Sequence, residues 1–588
     1  MIKTLSKSIR EYKKYAILSP IFVMAEVVFE VLIPFVMADM LDNGIRVGDN
    51  KRVLICGILM FIMAVISLVF GVLSGKVAST ASAGFAKNIR EDMYKHIQDY
   101  SFEDIDSLST ASLVTRLTND VTYIELSFQM IIRIVVRAPF MLILAFVMSF
   151  VVNYKLALIF LAAVPFLGIT LFLIMRKSFV PFSKLFKQYD NLNRTVEENL
   201  NGIRVVKSFV TENREEEKFK NESGILSGFA QKAEQILAWN LPIVQFTVYL
   251  CMLLIAFFGS ELIINGFYNG NELVFMTTGE LNSFFSYVMQ ILMSLMMISQ
   301  IFVMLSMSKT SANRIVEVLN LDPTIKNKEN PITEVKSGDI LFTNVSFKYN
   351  NESPKFNLEN VNCYIKEGET IGIIGGTGSA KSTFVQLIPR LYDVTEGSIK
   401  VGGVDVRNYD IETLRNSVAY VLQKNVLFSG TIKENLLWGN LNATDEEIEK
   451  ACKDACAYDF IMSFPQKFDH DLGEGGVNVS GGQKQRLCIA RALLKKPKVL
   501  ILDDSTSAVD TKTDFNIRQA LKNNMKDVTK FIIAQRISSV EDADRIFVFD
   551  DGKIIASGTH EYLLDNCDIY REINDLQKKG GNEDETKE

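Results

Sequence analysis

Residues 371–383 combine the residue types and the spacing that bind phosphate groups. The segment reads IGIIGGTGSAKST, an apolar stretch followed by a run of small residues and then by Lys-Ser-Thr. In such a loop, backbone N–H groups and the N-terminus of the following helix surround the phosphate oxygens. Lys381 is expected to neutralise the β- and γ-phosphates of a nucleotide, and Ser382 to hold Mg²⁺. The predicted loop residues are Gly375, Gly376, Thr377, Gly378, Ser379, Ala380, Lys381, Ser382 and Thr383.

One position departs from the usual pattern of this loop, GxxxxGK(S/T). The residue before the lysine is Ala380 rather than glycine. A methyl group there can obstruct close approach of the backbone to the phosphates, or a backbone conformation with positive φ. Taken alone, this departure weakens the case for nucleotide binding.

Further motifs strengthen that case. Residues 499–504 read VLILDD, an apolar strand that ends in Asp503, which is expected to reach Mg²⁺ through water. The string VSGGQKQR lies between the phosphate loop and this strand, and YVLQKNVLF lies between the loop and that string. A single phosphate-loop match would leave open an α/β fold without nucleotide, but several ordered motifs do not.

In this order the motifs resemble those of ATP-binding cassette (ABC) exporters. The string VSGGQKQR nearly matches the ABC signature LSGGQ, Gln423 matches the family's Q-loop, and Tyr349 matches its adenine-stacking aromatic residue. The signature residues are Ser480, Gly481, Gly482 and Gln483, and the D-loop residues are Ser507, Ala508, Val509 and Asp510. The resemblance covers nearly the whole chain and implies a half-transporter, with six membrane helices and one ATP-binding domain.

The resemblance also implies a dimer. In the family, two ATP molecules with Mg²⁺ lie between the phosphate loop of one subunit and the signature of the other. Gln423 would join Ser382 and Asp503 around the metal. Short coupling helices in the long cytoplasmic loops would dock on the ATP-binding domains, here near residues 102–112 and 205–212.

Two residues depart from the family's catalytic pattern. Asp503 corresponds to the family's Walker B aspartate. The family has a glutamate after this aspartate to polarise the attacking water, whereas this chain has Asp504. Aspartate is one methylene shorter, so its carboxylate retreats by about 1.5 Å. A misplacement of about 1 Å can cost on the order of 100-fold in rate. The family's switch histidine is replaced by Gln535, which can donate a hydrogen bond to the γ-phosphate but cannot carry a positive charge.

The departures at Ala380, Asp504 and Gln535 all fall on one composite site, while the signature that serves the opposite site is nearly intact. This distribution favours a heterodimer. This chain would contribute the Walker motifs of a degenerate site, and its signature would complete an active site on a different half-transporter chain. The pattern resembles that of heterodimeric bacterial multidrug exporters. A homodimer with slow ATP hydrolysis stays open.

The elements that position these residues divide the chain into a membrane part and a water-soluble part. Of the 588 residues, 48% are hydrophobic although 22% are charged. A membrane span needs about 20 mostly apolar residues. Six stretches qualify, near 17–40, 54–75, 129–152, 156–175, 241–264 and 281–305. Six such spans with biased loops argue against the alternative of a soluble helical bundle.

Basic residues orient the spans. The long segment 176–240 carries eleven lysines and arginines, whereas the three short connections carry only Arg46, Lys51, Arg52 and Lys155. Because basic residues accumulate on the cytoplasmic side, both termini and both long loops are expected inside. The N-terminus lacks the features of a cleaved secretory signal. A net charge of −6 argues against a nucleic-acid partner, and three histidines make a histidine metal site unexpected.

From about residue 330 short apolar runs alternate with helical stretches, which predicts a mainly parallel α/β sheet. The predicted fold is therefore an all-α six-helix transmembrane domain joined to an α/β P-loop ATP-binding domain. The predicted boundaries are 1–320 for the membrane domain, 321–336 for a linker, 337–575 for the ATP-binding domain and 576–588 for a disordered tail.

The first span contains two acidic residues that bear on transport. Glu26 and Glu30 are spaced i, i+4 and share one helical face within the bilayer. Charged residues at that depth are functional candidates, here for binding cationic or amphipathic compounds. Arg133 and Arg137, also at i, i+4, could instead neutralise them in a structural ion pair.

Three functions stay open at this point. The first is ATP-driven export of drugs or other small amphipathic compounds from a bacterial plasma membrane. The second is a dedicated exporter or flippase for lipid or peptide. The third is a nucleotide-gated regulatory membrane protein with incidental hydrolysis, which the near-complete signature disfavours.

Overall fold

The computed structural model describes residues 1–269, 276–350 and 353–585. The chain forms two compact units. The first comprises Met1–Gln98 and Ser109–Leu321, and the second comprises Asp99–Leu108 and Asp322–Glu588. The short segment Asp99–Leu108 therefore lies with the C-terminal unit, although both of its neighbours in sequence belong to the N-terminal one.

The N-terminal unit is helical. Within the described residues, six helical segments are long and apolar enough to cross a membrane: Ile2–Ile45, Asn50–Gln98, Thr110–Val152, Tyr154–Asn201, Glu212–Ile264 and Thr278–Ile301. The helices, numbered along the chain, are α1 (Ile2–Ser6), α2 (Lys13–Asp39), α3 (Asn50–Gln98), α4 (Phe102–Leu108, in the second unit), α5 (Thr110–Thr115), α6 (Val121–Met130), α7 (Val136–Val152), α8 (Tyr154–Asn201), α9 (Ile203–Ser208), α10 (Glu212–Leu237), α11 (Asn240–Asn269) and α12 (Thr278–Asn320).

The packing of this unit is that of a membrane bundle. A shared core is formed by apolar side chains of several helices, among them Val27, Ala145 and Ile291. Large apolar residues such as Phe61 and Leu68 remain exposed on the outside. Exposed apolar surface of this extent is suited to lipid rather than to water. The prediction of six membrane helices is confirmed.

The second unit contains two sheets. The strands are β1 (Ile340–Phe347), β2 (Leu358–Ile365), β3 (Thr370–Gly375), β4 (Glu396–Val401), β5 (Val404–Asp405), β6 (Val418–Val421), β7 (Val499–Asp503), β8 (Thr529–Ile533), β9 (Arg545–Asp550) and β10 (Lys553–Gly558). Four of them form a small antiparallel sheet in the order β2-β1-β4-β5. Six form the main sheet in the order β10-β9-β3-β8-β7-β6, which is parallel from β9 to β6.

The second unit also contains helices that follow α12 along the chain. They are α13 (Lys381–Gln386), α14 (Ile411–Ser417), α15 (Ile432–Leu437), α16 (Asp445–Asp454), α17 (Tyr458–Ser463), α18 (Gly481–Leu494), α19 (Thr511–Asn524), α20 (His560–Asn566) and α21 (Asp568–Glu585). Helix α21 continues into the segment 576–588, where the sequence predicts disorder, and residues 586–588 lie outside the described ones.

The order of the parallel strands explains how distant motifs meet. Strand β8 lies between β3 and β7, and all three point the same way. The phosphate loop follows β3, Asp503 ends β7, and the segment containing Gln535 follows β8. Because carboxyl ends of parallel strands share one edge of the sheet, these three segments converge there. The predicted α/β fold is confirmed.

Short helices occur near both predicted coupling segments. Helix α4 spans Phe102–Leu108, and α9 spans Ile203–Ser208. Within the second unit, Tyr392 contacts α4 in two ways. Its hydroxyl donates to Asp106 Oδ2 at 2.7 Å, and its ring makes an edge contact with that of Phe102.

Candidate nucleotide-binding site

The phosphate loop lies between β3 and α13. Its first residue, Gly375, needs to be glycine, because a Cβ there would lie 2.2 Å from the carbonyl oxygen of Phe549 on the neighbouring strand. The Nζ of Lys381 donates to the carbonyl oxygens of Gly375 and Gly376 at 2.9 and 2.7 Å. Burial lowers the pKa of Lys381. These hydrogen bonds hold the lysine ammonium against the loop, where the β- and γ-phosphate oxygens are expected to bind.

Ala380 adopts the conformation that glycine usually supplies. It precedes α13 with φ 70° and ψ 24°, in the left-handed region. For a residue with a Cβ this region costs roughly 1–2 kcal/mol. The substitution at Ala380 is therefore strained in the backbone.

Asp503 is buried, and each of its carboxylate oxygens accepts one hydrogen bond. Ser382 Oγ donates to Oδ1 at 2.9 Å, and the hydroxyl of Tyr420 donates to Oδ2 at 2.8 Å. Burial raises the pKa of Asp503, and burial followed by the negative charge of Asp503 raises the pKa of Tyr420 well above its usual value. Sequence reasoning missed Tyr420.

Asp504 and Gln535 contact each other directly. Gln535 Nε2 donates to Asp504 Oδ2 at 2.7 Å, and Gln423 Nε2 lies 3.4 Å from the same oxygen. Asp504 has φ 48°, another left-handed conformation, which aspartate tolerates better than most residues. Three residues predicted for one site are thus brought together, with two amides on one carboxylate.

Tyr349 lies beside the phosphate-loop helix. Its hydroxyl donates to Gln386 Oε1 at 3.0 Å and shares a hydrogen bond with Thr383 Oγ1 at 3.0 Å. The ring packs edge-on against Tyr392, yet 43% of the residue is exposed. Burial of the rest raises the pKa of its hydroxyl. An exposed ring held at this place can stack on a nucleotide base.

The signature residues begin α18. Ser480 and Gln483 form a reciprocal capping box, in which Ser480 Oγ accepts from the Gln483 N–H and Gln483 Oε1 accepts from the Ser480 N–H. Gly482 packs on the D-loop, since a Cβ there would lie 2.7 Å from Ala508 O. The N-terminus of a 14-residue helix attracts anions such as phosphate.

Comparisons with known proteins agree with this geometry. Residues 16–307 match the ABC transporter transmembrane region, and residues 358–507 match the ABC transporter family of ATP-binding domains. An uncharacterized ABC transporter ATP-binding protein of Bacillus subtilis is 35% identical, over 97% of this chain and 98% of its own length. This chain belongs to the ABC exporters. It is a half-transporter, with one transmembrane and one ATP-binding domain.

Other ABC relatives differ in what their names describe. An ATP-dependent lipid A-core flippase of Desulfotalea psychrophila is 31% identical over 92% of this chain and 93% of its own. A putative multidrug export ATP-binding/permease protein of Bacillus subtilis is 32% identical over 93% of both. The structure of a bacterial Atm1-family ABC exporter with ATP bound superposes with a TM-score of 0.81 at 23% identity, covering 96% of this chain and 99% of that one. The last likeness concerns the fold.

As an ABC transporter the chain binds ATP, typically with Mg²⁺, and the donors at the site fit that ion. The hydroxyl of Ser382 and the carboxylate of Asp503 are hard oxygen ligands 2.9 Å apart. Mg²⁺ prefers such oxygens and keeps several waters and phosphate oxygens in its shell. Gln423, the third predicted metal residue, has its Nε2 3.4 Å from Asp504 Oδ2. When bound, the ion would neutralise phosphate charge.

Two further glutamines at this end of the domain were missed by sequence reasoning. Gln485, buried in α18, accepts from the Ala508 N–H at 3.0 Å and so ties the signature helix to the D-loop. Gln577 in α21 accepts from the Ile537 N–H at 2.9 Å and donates to Gln535 O at 2.8 Å. The two hydrogen bonds of Gln577 fix the backbone on both sides of Arg536.

Asp510, a predicted D-loop residue, caps helix α19 by accepting a hydrogen bond from the Thr513 N–H at 2.9 Å.

In the membrane unit, the structure separates the two candidate arginines. Arg137 pairs with both glutamates, with Nη1 at 2.5 Å from Glu26 Oε1 and Nη2 at 2.6 Å from Glu30 Oε2. Arg133 lies beside Gly75 and makes no ion pair with any residue that the structure describes. The Glu26–Arg137–Glu30 cluster, one guanidinium between two carboxylates, therefore joins α2 to α7.

Proposed function

We propose that this chain is one half of a heterodimeric exporter of drugs or other amphipathic compounds. It contributes the Walker motifs of a degenerate ATP site, and its signature helix completes an active site whose Walker motifs belong to a different ABC half-transporter. Both termini lie in the cytoplasm of a bacterial cell.

The hydrogen bond between Gln535 and Asp504 carries the proposal. A residue that polarises the attacking water needs a free carboxylate oxygen, and a switch residue needs its donor directed at the γ-phosphate. Here the amide of Gln535 is directed at Oδ2 of Asp504, and Gln423 approaches the same oxygen. The pairing engages the side-chain amide of Gln535 and one of the two carboxylate oxygens of Asp504, whose side chain is already one methylene short. ATP binding without efficient hydrolysis is the expected behaviour.

The half of the site that serves the partner is well formed. Ser480 and Gln483 cap α18, and Gln485 connects the same helix to Ala508 in the D-loop. These bonds fix the N-terminus of the helix that, in the proposed heterodimer, faces a nucleotide held by the other chain. A nearly intact signature beside impaired Walker motifs is what a heterodimer with one active site requires.

Amphipathic compounds are the substrate class that the membrane unit favours. The Glu26–Arg137–Glu30 cluster leaves Glu26 Oε2 without a hydrogen-bond partner, although that atom is buried. A cationic group of a substrate can satisfy such an acceptor, while apolar side chains bind the remainder. A relative named as a putative multidrug exporter supports this choice, and the relative named as a lipid flippase supports lipid as the second candidate.

The proposal is tested by reconstituting the chain with its partner. The tagged chain is solubilised from its native membrane, and a second ABC half-transporter is expected to copurify with it. Inside-out vesicles holding both chains should accumulate a cationic amphipathic dye when ATP is added. Recovery of this chain alone as an active homodimer contradicts the heterodimer. Movement of labelled lipid without dye uptake would show that the substrate is a lipid rather than a small amphipathic compound.

A further inference from the structure

Tyr420 reaches the metal-binding edge of the sheet from a neighbouring strand. It lies in β6, which pairs in parallel with β7, and its backbone is opposite Ile501. From there its hydroxyl donates to Oδ2 of Asp503, two residues further along β7, at 2.8 Å. The other oxygen of the same carboxylate accepts from Ser382.

We propose that Tyr420 is a positioning residue for Mg²⁺, acting through Asp503. The carboxylate of an aspartate rotates easily, because its terminal torsion has broad minima. A donor on Oδ2 fixes that rotation and leaves Oδ1 directed at Ser382, the residue expected to ligate the metal. Tyr420 thus presents one defined oxygen to Mg²⁺ and its waters.

Because Asp503 is buried, the hydrogen bond from Tyr420 has a large influence on the orientation of its carboxylate. Asp503 is only 3% exposed, so bulk water has little access to Oδ2 if the tyrosine hydroxyl is removed. Leaving a buried carboxylate oxygen without its donor is unfavourable, and rotation towards another donor is the expected response. That rotation would turn Oδ1 away from the metal. Because the bond concerns metal and nucleotide binding, the inference is independent of whether this site hydrolyses ATP.

The test is Tyr420→Phe in the full chain in lipid, with trinitrophenyl-ATP as the probe. Binding is measured without divalent ion, and then during a Mg²⁺ titration. Losing one hydrogen bond to a carboxylate should raise, by about tenfold, the Mg²⁺ concentration that gives half of the maximal change in probe binding. Affinity measured without Mg²⁺ should stay within about twofold, since phosphate contacts of the loop are untouched.

Tyr409→Phe is the matched control. Tyr409 is also a buried tyrosine of this domain, but its hydroxyl donates to the Val401 carbonyl at 2.8 Å in the small sheet. This control should leave the Mg²⁺ titration unchanged. Equal Mg²⁺ titrations for both variants and the wild type would overturn the proposal. So would an equal loss of probe binding with and without Mg²⁺, which indicates a general structural effect.

A double-mutant cycle tests whether Tyr420 acts through Asp503. Asp503→Asn removes the negative charge at nearly the same shape, and its own Mg²⁺ titration gives the baseline. In that background Tyr420→Phe should change the Mg²⁺ midpoint by less than about twofold. A further tenfold change would show that Tyr420 acts by another route and would overturn the inference.

Discussion

Gln535 Nε2 and Asp504 Oδ2 lie 2.7 Å apart, so the residue at the switch position and the residue after Walker B are hydrogen-bonded to each other. A carboxylate that accepts this amide is less available to a water molecule. The same amide is less available to a phosphate. The contact adds a physical reason to expect slow hydrolysis, beside the shorter side chain of aspartate.

Replacing both residues should restore catalysis. Asp504→Glu with Gln535→His is expected to raise turnover at this chain's own site by at least about tenfold, because carboxylate reach accounts for up to about 100-fold. The gain will be incomplete, since φ 48° at position 504 suits glutamate less well than aspartate. The measurement is single-site turnover in the heterodimer with the partner's site silenced. An unchanged rate in a folded complex that binds ATP contradicts this account.

Ala380→Gly should relieve backbone strain. The left-handed conformation costs alanine roughly 1–2 kcal/mol, and the entropy that glycine adds to the unfolded chain offsets about 0.4–1 kcal/mol of the gain. We expect a rise in stability of up to about 1.6 kcal/mol and tighter binding of ATP. Lys467→Gly is the control, because Lys467 has φ 49° outside the predicted nucleotide-binding residues. Equal ATP affinities for both variants would show that the strain at Ala380 does not affect the site.

Gln577 should support catalysis through the backbone of the switch segment. In the Asp504→Glu, Gln535→His background, Gln577→Ala removes the bonds to the residue 535 carbonyl and the Ile537 N–H. Loss of two exposed-to-half-buried hydrogen bonds is expected to lower kcat by about threefold to tenfold, with KM for ATP unchanged. Asp575→Ala, an exposed change on the same helix, is the control. A parallel rise in KM would indicate damage to ATP binding instead.

Arg137 should hold α2 and α7 together. Arg137→Met leaves the carboxylates of Glu26 and Glu30 without their partner. The expected cost is about 1–3 kcal/mol, because the Glu30 side chain is 35% exposed and the cluster is not fully buried. The variant with Glu26→Gln and Glu30→Gln added should recover most of that loss, as judged by thermal unfolding in lipid. Arg133→Met should have a small effect. Equal destabilisation by the two arginine variants would contradict the assigned pairing.

Local patterns predicted most of the fold and the nucleotide motifs. The apolar spans, the small-residue loop at Gly375 and the strand ending in Asp503 each depend on residues close in sequence. Tyr420, by contrast, is 83 residues from Asp503, and only the pairing of β6 with β7 brings them together. Nothing in the spacing of YVLQ identifies the hydroxyl as a donor to that carboxylate.

The ion pairs of the membrane unit also depend on packing that the sequence does not reveal. Arg133 and Arg137 share a helical face, so the sequence pattern predicted either of them as an ion-pair partner of the two glutamates in the first span. Which arginine pairs with the glutamates depends on how α2, α3 and α7 pack. Glu26, for example, lies so close to Gly71 that a Cβ on that glycine would be 3.0 Å from Glu26 Oε1. Gln577 was missed because the sequence predicts disorder for its segment, whereas the structure continues α21 through it.

The degenerate site is tested most directly by the ATPase rate of this chain purified alone in lipid, after folding and ATP binding have been established. We expect a rate near background, because Gln535 and Asp504 are hydrogen-bonded to each other beside the phosphate loop of this chain. A robust rate would contradict the degenerate site. It would show that Asp504 and Gln535 suffice for hydrolysis, and that no different partner is needed.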